Sequence, residues 1–266
     1  MTDFERFKER VYQTFGLDLN SYKENQLKRR LDNLLTRKQY ADCQVFFNYL
    51  NSNRNAWHEF LDYLTINVSE FFRDVKMFQT LESKILPELL QKRGSLKVWS
   101  AACSNGCEPY TISIILEEIA PGKRHQIDAT DIDSTILQAA AVGSYGADAV
   151  RNVAKERLAR YFTLEQGKYH ISSKIKSKVT FKQHNLLADN YPKGYDLIAC
   201  RNVTIYFTRE AQDKVNFKFA QSLNPGGYLF IGGSETIFNY AEMGFEKVSP
   251  CFYRKNNQLT VAERMG

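Results

Sequence analysis

Hydrophobic residues recur at three- and four-residue steps through the first part of the chain. Phe4, Phe7, Val11 and Phe15 follow this spacing, which places them on one face of a helix. The spacing returns at Leu27, Leu31, Leu34 and Leu35, and again at Trp57, Phe60, Leu61 and Leu64. No alternation of apolar and polar residues competes with it. The pattern therefore predicts an all-helical N-terminal domain over residues 1–75.

After a further predicted helix at about 75–91, apolar strand-like runs alternate with helical segments. The strand-like runs are "LKVWSAA", "HQIDATDID", "KVTFKQHNLL", "YDLIACRN" and "GGYLFIGGS", with "FEKVSPCFYRK" as a late strand or strand pair. Such alternation is typical of an α/β fold, with a doubly wound, mostly parallel sheet of Rossmann-like type and helices on both faces. We assign this domain to residues 76–266.

One segment, 143–177, breaks the alternation. It contains short β-prone pieces around Gly167, after a charged helical segment. We predict a small β insertion at about 160–180, for which a hairpin is one arrangement. It shows no clear peptide-binding feature.

Composition narrows the class of protein. Of the 266 residues, 43% are hydrophobic and 25% are charged, and no apolar run approaches the roughly 20 residues that span a bilayer. The N-terminus is charged from the start, so we expect a cytoplasmic protein without membrane insertion. The five cysteines are irregularly spaced and the four histidines are isolated, which favours free thiols and no metal site.

Charge is concentrated on one predicted helix. Residues 21–38 carry six basic residues against two acidic ones, a net charge of +4. At about 100° per residue, Lys23, Arg30 and Arg37 fall on one stripe beside the leucine face. The stripe could dock an acidic surface, or it could be a solvated helix flank, and the net charge of +6 for the chain does not decide between them.

Polar residues at the ends of the predicted strands indicate a ligand site, because open parallel sheets bind ligands there. Asp131 ends the second strand 25 residues after Gly106, a spacing typical of a carboxylate that binds a ribose. Glu108 would repel a diphosphate but attract an ammonium or sulfonium group, which favours S-adenosylmethionine over NAD or ATP. Alternatively, Glu108 only complements the dipole of its helix. Asn185 and Asn202 end two further strands, where they could serve a ligand or only cap the chain.

Six motifs of the chain resemble those of a known protein family. The chemotaxis receptor methyltransferases, CheR, share these motifs in this order, and the chain is most similar to the Bacillus-type members. The motifs are "LTINVSEFFRD", "KVWSAACSNGCEPYTISI", "ATDID", "HNLL", "YDLIACRNVTIYF" and "LFIGGSE". The resemblance implies a class I methyltransferase fold, S-adenosylmethionine as cofactor, and methyl esters of chemoreceptor glutamates as products, with S-adenosylhomocysteine released.

The resemblance also implies roles for individual residues. Those that match cofactor-binding positions of the family are Asn67, Ser69, Arg73, Glu108, Asp131, Asn185, Leu186, Arg201 and Asn202. Tyr206 matches a tyrosine near the transferred methyl group, and we expect Arg73 and Tyr206 to act in catalysis, although either could be purely structural. The chain departs from the family at Cys107, where an acid is usual. We expect Glu108, not residue 107, to hold the methionine ammonium.

Because the family's receptors present acidic helices, we expect the stripe of Lys23, Arg30 and Arg37 to dock them. Since the insertion is compact and has no clear peptide-binding feature, we expect no dependence on a receptor tail peptide. The acceptor carboxylate is already ionised at neutral pH, so positioning would suffice for catalysis without a general base. We expect a monomer.

Two other hypotheses stay open from the sequence. Loss of the acid at Cys107 could leave a scaffold that binds receptors, with or without adenosylmethionine, and transfers no methyl group. A nucleic-acid methyltransferase is disfavoured because "RNVTIY" lacks the prolines of a base-stacking loop, so we expect no nucleic-acid partner.

Overall fold

The N-terminal region is helical, as the hydrophobic spacing predicts. The computed structural model describes residues 1–65 and 69–256. Its first four helices are α1 (Asp3–Phe15), α2 (Glu24–Lys38), α3 (Cys43–Ser52) and α4 (Arg54–Thr65). Helix α1 begins with a capping box between Thr2 and Glu5 and ends at Gly16 in the left-handed conformation. The apolar faces share one core in which Phe7 stacks against Phe46 and meets Phe60 edge to face.

The remaining chain alternates strands and helices. The helices are α5 (Val75–Thr80), α6 (Leu86–Arg93), α7 (Cys107–Ile119), α8 (Ser134–Val142), α9 (Lys155–Tyr161), α10 (Ser173–Lys176) and α11 (Arg209–Ser222), and a π-helical segment, Leu81–Ile85, joins α5 to α6. The strands are β1 (Lys97–Ala101), β2 (Gln126–Asp131), β3 (Ser144–Tyr145), β4 (Phe162–Glu165), β5 (Lys168–Ile171), β6 (Val179–Gln183), β7 (Tyr195–Cys200), β8 (Leu223–Ile231), β9 (Phe245–Ser249) and β10 (Phe252–Lys255).

Seven strands form the main sheet in the order β6-β2-β1-β7-β8-β10-β9. Strand β10 is antiparallel to both neighbours, and the other pairs are parallel. This confirms the predicted fold class of a doubly wound, mostly parallel sheet. The chain moves outward from β1 through β2 to β6 and then returns to β7 on the other side of β1. The resulting crevice at the carboxyl ends of β1 and β7 is where such sheets bind ligands.

The insertion forms a sheet of its own. Strands β4 and β5 make a hairpin whose turn, Gln166 and Gly167, has positive φ at both residues. Strand β3 pairs with β5, so the insertion begins at Ser144, further upstream than the predicted 160. Strand β3 could not be predicted from the sequence, because a two-residue strand is too short to show the alternation of apolar and polar residues.

A short backbone bridge joins the helical region to the main sheet. Tyr22 pairs with Phe207, and the two rings meet edge to face at 5.1 Å. The amide of Lys23 donates to the carbonyl of Tyr206 at 2.9 Å, and that of Thr208 donates to Ser21 at 2.8 Å. The start of α2 therefore lies beside the loop that follows β7. Among the described ranges, no helix has the length and apolar character needed to cross a membrane.

Candidate functional site

A cleft opens at the carboxyl ends of the central strands, between them and the helical region. Its volume is about 960 Å³ including the open mouth. Nine of the residues predicted for the site line it: Ser69, Arg73, Glu108, Asp131, Asn185, Leu186, Arg201, Asn202 and Tyr206. Asn67 lies outside the described residues. The sequence interpretation thus brought together residues that are as far apart as 69 and 206 in the chain.

The loop after β1 makes a sharp turn at the floor of the cleft. Ala102 and Ser104 both have positive φ, at 61° and 49°, and Gly106 follows at 85°. A Cβ at Gly106 would lie 3.0 Å from the Cβ of Ala140 and 3.3 Å from the Tyr110 ring, so a side chain there would force these neighbours to shift. Of these three positions, residue 106 is the one where both the backbone conformation and the close neighbours favour glycine.

Asp131 is held in place by backbone amides. One carboxylate oxygen accepts from the amide of Ser104 at 2.8 Å and the other from that of Asp133 at 3.1 Å. Burial nevertheless raises the pKa of Asp131 above its ordinary value. Because each oxygen can accept a further hydrogen bond, Asp131 is oriented to take a hydroxyl pair from a ligand.

Glu108 is buried and already engaged. It accepts from the Ser100 hydroxyl at 2.8 Å and from Arg201 at 3.3 Å. Arg201 also donates to Asp74 at 2.5 Å and to the carbonyl of Arg73 at 3.0 Å. The sequence did not anticipate this pairing. One guanidinium between two carboxylates leaves a net negative charge, and burial raises the pKa of Glu108. The net negative charge still favours a cationic ligand. The pairing with Arg201 weakens the attraction that Glu108 exerts on such a ligand.

Glu235 builds the loop after β7, a role that the sequence interpretation missed. Its carboxylate accepts from the amides of Asn202 (2.8 Å), Val203 (3.0 Å) and Thr204 (2.8 Å), from the Thr204 hydroxyl (2.7 Å), and from the amide of Gly232 (2.7 Å). These bonds hold Asn202 at a φ of 60°. A Cβ at Gly232 would lie 2.8 Å from the Asn202 amide nitrogen.

Several buried polar atoms in the cleft have no hydrogen-bond partner among the described residues. They are Oγ of Ser104, Nε2 of His184, Nε of Arg201 and Oδ1 of Asn202. Buried polar groups are normally paired, so orphans gathered in one cleft indicate a polar ligand. Donor and acceptor atoms are both present, as a nucleoside with an amino-acid tail would require.

Arg73 and Tyr206 are half-buried, and both line the cleft. The Tyr206 ring lies 5.7 Å from the guanidinium of Arg30, which reaches it from α2. Tyr22 lines the cleft from the same side. Its burial raises its pKa, and the nearby Asp131 carboxylate adds to the shift. The hydrophobic spacing could not reveal Tyr22, which precedes the helix.

The predicted docking stripe is divided. Lys23 and Arg37 are exposed, as the prediction requires. Arg30 is half-buried and donates to the carbonyls of Tyr63 at 2.6 Å and Leu64 at 3.0 Å, so it satisfies the last turn of α4. Two of its five N–H donors are therefore used within the protein.

Cys107 does not face the cleft. It is fully buried in the first turn of α7, within the main core, and burial raises the pKa of its thiol. Its neighbour Glu108 lines the cleft instead. A change at residue 107 therefore acts on packing and not directly on a ligand.

Comparison with known proteins finds similar chains over almost the whole length. Residues 2–65 match the family model described as CheR methyltransferase, all-alpha domain, and residues 67–252 match CheR methyltransferase, SAM binding domain. The chain is 41% identical over 254 residues to the chemotaxis protein methyltransferase of Listeria monocytogenes serovar 1/2a, covering 95% of this chain and 97% of that one. It is 34% identical over 253 residues to the protein of that name from Escherichia coli K12, covering 91% and 86%.

Proposed function

The chain belongs to the CheR family of chemotaxis methyltransferases, and we propose that it methylates glutamate side chains on the cytoplasmic helices of chemoreceptors. The products are glutamate 5-O-methyl esters and S-adenosylhomocysteine. The enzyme acts as a monomer in the cytoplasm. The cleft is the observation that carries the proposal, because it joins an oriented carboxylate, a net negative charge and orphaned polar atoms at the switch point of the sheet.

The residues present fit S-adenosylmethionine. Asp131 would take the ribose hydroxyls, since its oxygens are fixed by amides and can still accept. Asn202 offers an unpaired acceptor, and with Glu108 it would hold the ammonium group. Asn185 and Leu186 follow β6 and line the cleft where the adenine would lie. Ser69 and Arg73 would close the site from the loop before α5.

The chemistry asks for positioning more than for acid–base groups. When bound, S-adenosylmethionine supplies an electrophilic methyl group on a sulfonium. Its leaving group is the neutral thioether S-adenosylhomocysteine, which needs no protonation. A glutamate acceptor has a pKa near 4.3 and is ionised at neutral pH. Arg73 would orient that carboxylate, and Tyr206 would form the wall along which it approaches. Holding the two reactants in the correct orientation can lower the activation barrier by roughly 7–11 kcal/mol.

The scaffold hypothesis has less support than methyl transfer. It was motivated by the missing acid at residue 107, but Cys107 lies in the core and Glu108 lines the cleft. A buried cysteine here removes no group that faces a ligand. The acidic residues that the cleft requires are all present.

Methylation can be tested with adenosylmethionine labelled in its methyl group and membranes that contain a chemoreceptor. We expect label on the receptor that is released as methanol by base, the signature of a carboxyl methyl ester. Asp131→Asn is the matched control and should lose most of the signal. If the protein binds S-adenosylhomocysteine but no receptor preparation yields base-labile methanol, the scaffold hypothesis replaces this one.

A further inference from the structure

The loop before α5 has an unusual conformation. Ser69, Glu70 and Arg73 line the cleft, while the intervening Phe71 and Phe72 are buried in the main core. This division requires positive φ at Phe72, 53°, and at Asp74, 63°. Such values are unfavourable for residues with a side chain, so the loop must be held by its surroundings.

Much of that surrounding structure belongs to the β insertion. The Phe71 ring lies between Tyr145 of β3, at 4.9 Å, and Phe162 of β4, at 5.0 Å, and meets both edge to face. The Phe71 amide donates to the carbonyl of Ala149 at 2.9 Å. On the cleft side of the loop, Glu70 pairs with Arg151 at 2.5 Å.

The side chains of Tyr145 and Arg157 make further contacts between the insertion and this loop or its neighbours. The Tyr145 hydroxyl donates to the carbonyl of Asn105 at 2.9 Å, and the Asn105 amide group donates to the carbonyl of Ser69 at 3.2 Å. Tyr145 therefore links the loop after β1 to the loop before α5. The guanidinium of Arg157, on α9, lies 4.8 Å from the centre of the Phe72 ring and is fixed by Glu82 and Glu118 at 2.5 Å and 2.7 Å.

We propose that the insertion is a brace for the cofactor site, in which Tyr145 and Arg157 are positioning residues. They hold Ser69, Glu70 and Arg73 in the cleft and thereby set the affinity for the cofactor. The insertion is then an integral part of the methyltransferase site, whatever else binds to its outer surface. The inference concerns cofactor binding alone and does not depend on which protein is methylated.

The test is calorimetric titration of the full chain with S-adenosylhomocysteine. Tyr145→Phe removes one hydroxyl, and Arg157→Gln removes the cation over Phe72 together with its ion pairs to Glu82 and Glu118. Each has a matched control in the insertion. Tyr169→Phe alters the residue opposite Tyr145 on β5, whose hydroxyl donates no hydrogen bond within the described ranges, and Arg160→Gln alters an exposed arginine on the same helix as Arg157.

We expect Tyr145→Phe and Arg157→Gln to raise the Kd for S-adenosylhomocysteine by about 3- to 10-fold, the effect of losing one hydrogen bond of ordinary strength. The controls should stay within about twofold of wild type. In ligand-free Tyr145→Phe, hydrogen exchange should accelerate at the Phe71 amide and stay unchanged in β1. A general loss of stability would accelerate both.

The proposal is overturned if Tyr145→Phe and Arg157→Gln both bind as tightly as wild type, or if the control variants weaken binding equally. Should Arg157→Gln fail to fold, Tyr145→Phe decides alone: unchanged Kd and unchanged Phe71 exchange reject the brace. These readouts need no receptor, so a failure of receptor methylation leaves the result interpretable.

Discussion

The cleft and helix α2 both contain arginines, but the two regions use them differently. Arg201 has 3% of its side chain exposed, lies between Glu108 and Asp74, and is flanked by the rings of Phe78 and Phe230. Arg37 stands on the exposed face of α2. Arg30 is intermediate, since it leaves the stripe to satisfy the end of α4. Buried charge here fixes geometry, whereas exposed charge acts on a partner through its field.

The difference predicts unequal sensitivity to substitution. Removing one member of a buried pair leaves an uncompensated charge and costs about 3–5 kcal/mol. An exposed charge contributes less than about 1 kcal/mol to stability, and salt screens its interaction with a partner. Changes in the cleft should therefore affect folding and cofactor affinity together, and changes at the exposed charges of α2 should affect neither.

Arg201→Met should have the largest effect. Met keeps much of the volume but leaves Glu108 with only the Ser100 hydroxyl and releases the Asp74 loop. We expect the free energy of unfolding in urea to fall by about 3–5 kcal/mol, with loss of S-adenosylhomocysteine binding. Arg209→Met is the control, because Arg209 forms a partly exposed pair with Asp213. Equal losses in the two variants would contradict the distinction.

Gly232→Ala should come next. Its new Cβ would lie within 2.9 Å of the backbone and side-chain nitrogens of Asn202 and of the Glu235 carboxylate. Relieving this overlap must shift the loop after β7 at a cost of about 1–3 kcal/mol, which we expect to weaken S-adenosylhomocysteine binding about tenfold. Gly146→Ala is the control. A Cβ added at Gly146 would have no atom of the described structure within 4 Å apart from its chain neighbours, and the φ of Gly146 is −74°. Wild-type affinity in Gly232→Ala would show that the loop can yield freely.

The pH dependence of binding should be smaller but distinctive. Burial raises the pKa of Glu108 and of Asp131, so both lose their charge at a higher pH than exposed carboxylates. We expect S-adenosylhomocysteine affinity to fall as the pH is lowered, and the fall to begin at a higher pH than exposed carboxylates would give. Calorimetry of Glu108→Gln should give a flatter profile, and an identical profile would exclude Glu108 as the titrating group.

Stability of the ligand-free protein should respond in the opposite sense. Because the folded pKa values of Glu108 and Asp131 are raised, their contribution to stability is fully present below the unfolded pKa. It is lost as the pH rises through the folded pKa.

Reversal of the exposed charges on α2 should have the smallest effect on the protein itself. We expect Lys23→Glu with Arg37→Glu to lower the rate of receptor methylation about 3- to 10-fold at low salt, less at high salt, and to leave S-adenosylhomocysteine binding unchanged. Lys123→Glu with Arg124→Glu is the control. These exposed residues precede β2, at the amino ends of the parallel strands, whereas the cleft lies at the carboxyl ends. Equal methylation by all three proteins would reject docking through α2.

The success and the limits of the sequence interpretation have physical reasons. The convergence of Asp131, Asn185 and Asn202 on the cleft could be predicted because each lies at or just after the end of a strand, and parallel strands bring their carboxyl ends together. Glu235 and Tyr22 were missed because their roles depend on contacts across the fold. The pairing of Glu108 with Arg201 was missed for the same reason, since 93 residues separate them. Periodicity reports which face of an element is buried, not which charges meet there.

The most direct measurement is a crystal structure of the protein with S-adenosylhomocysteine. The account predicts the ribose hydroxyls on Asp131, the ammonium group within reach of Glu108 and Asn202, and Cys107 without contact to the ligand. A ligand bound elsewhere, or one whose ribose and ammonium group avoid Asp131 and Glu108, would contradict it.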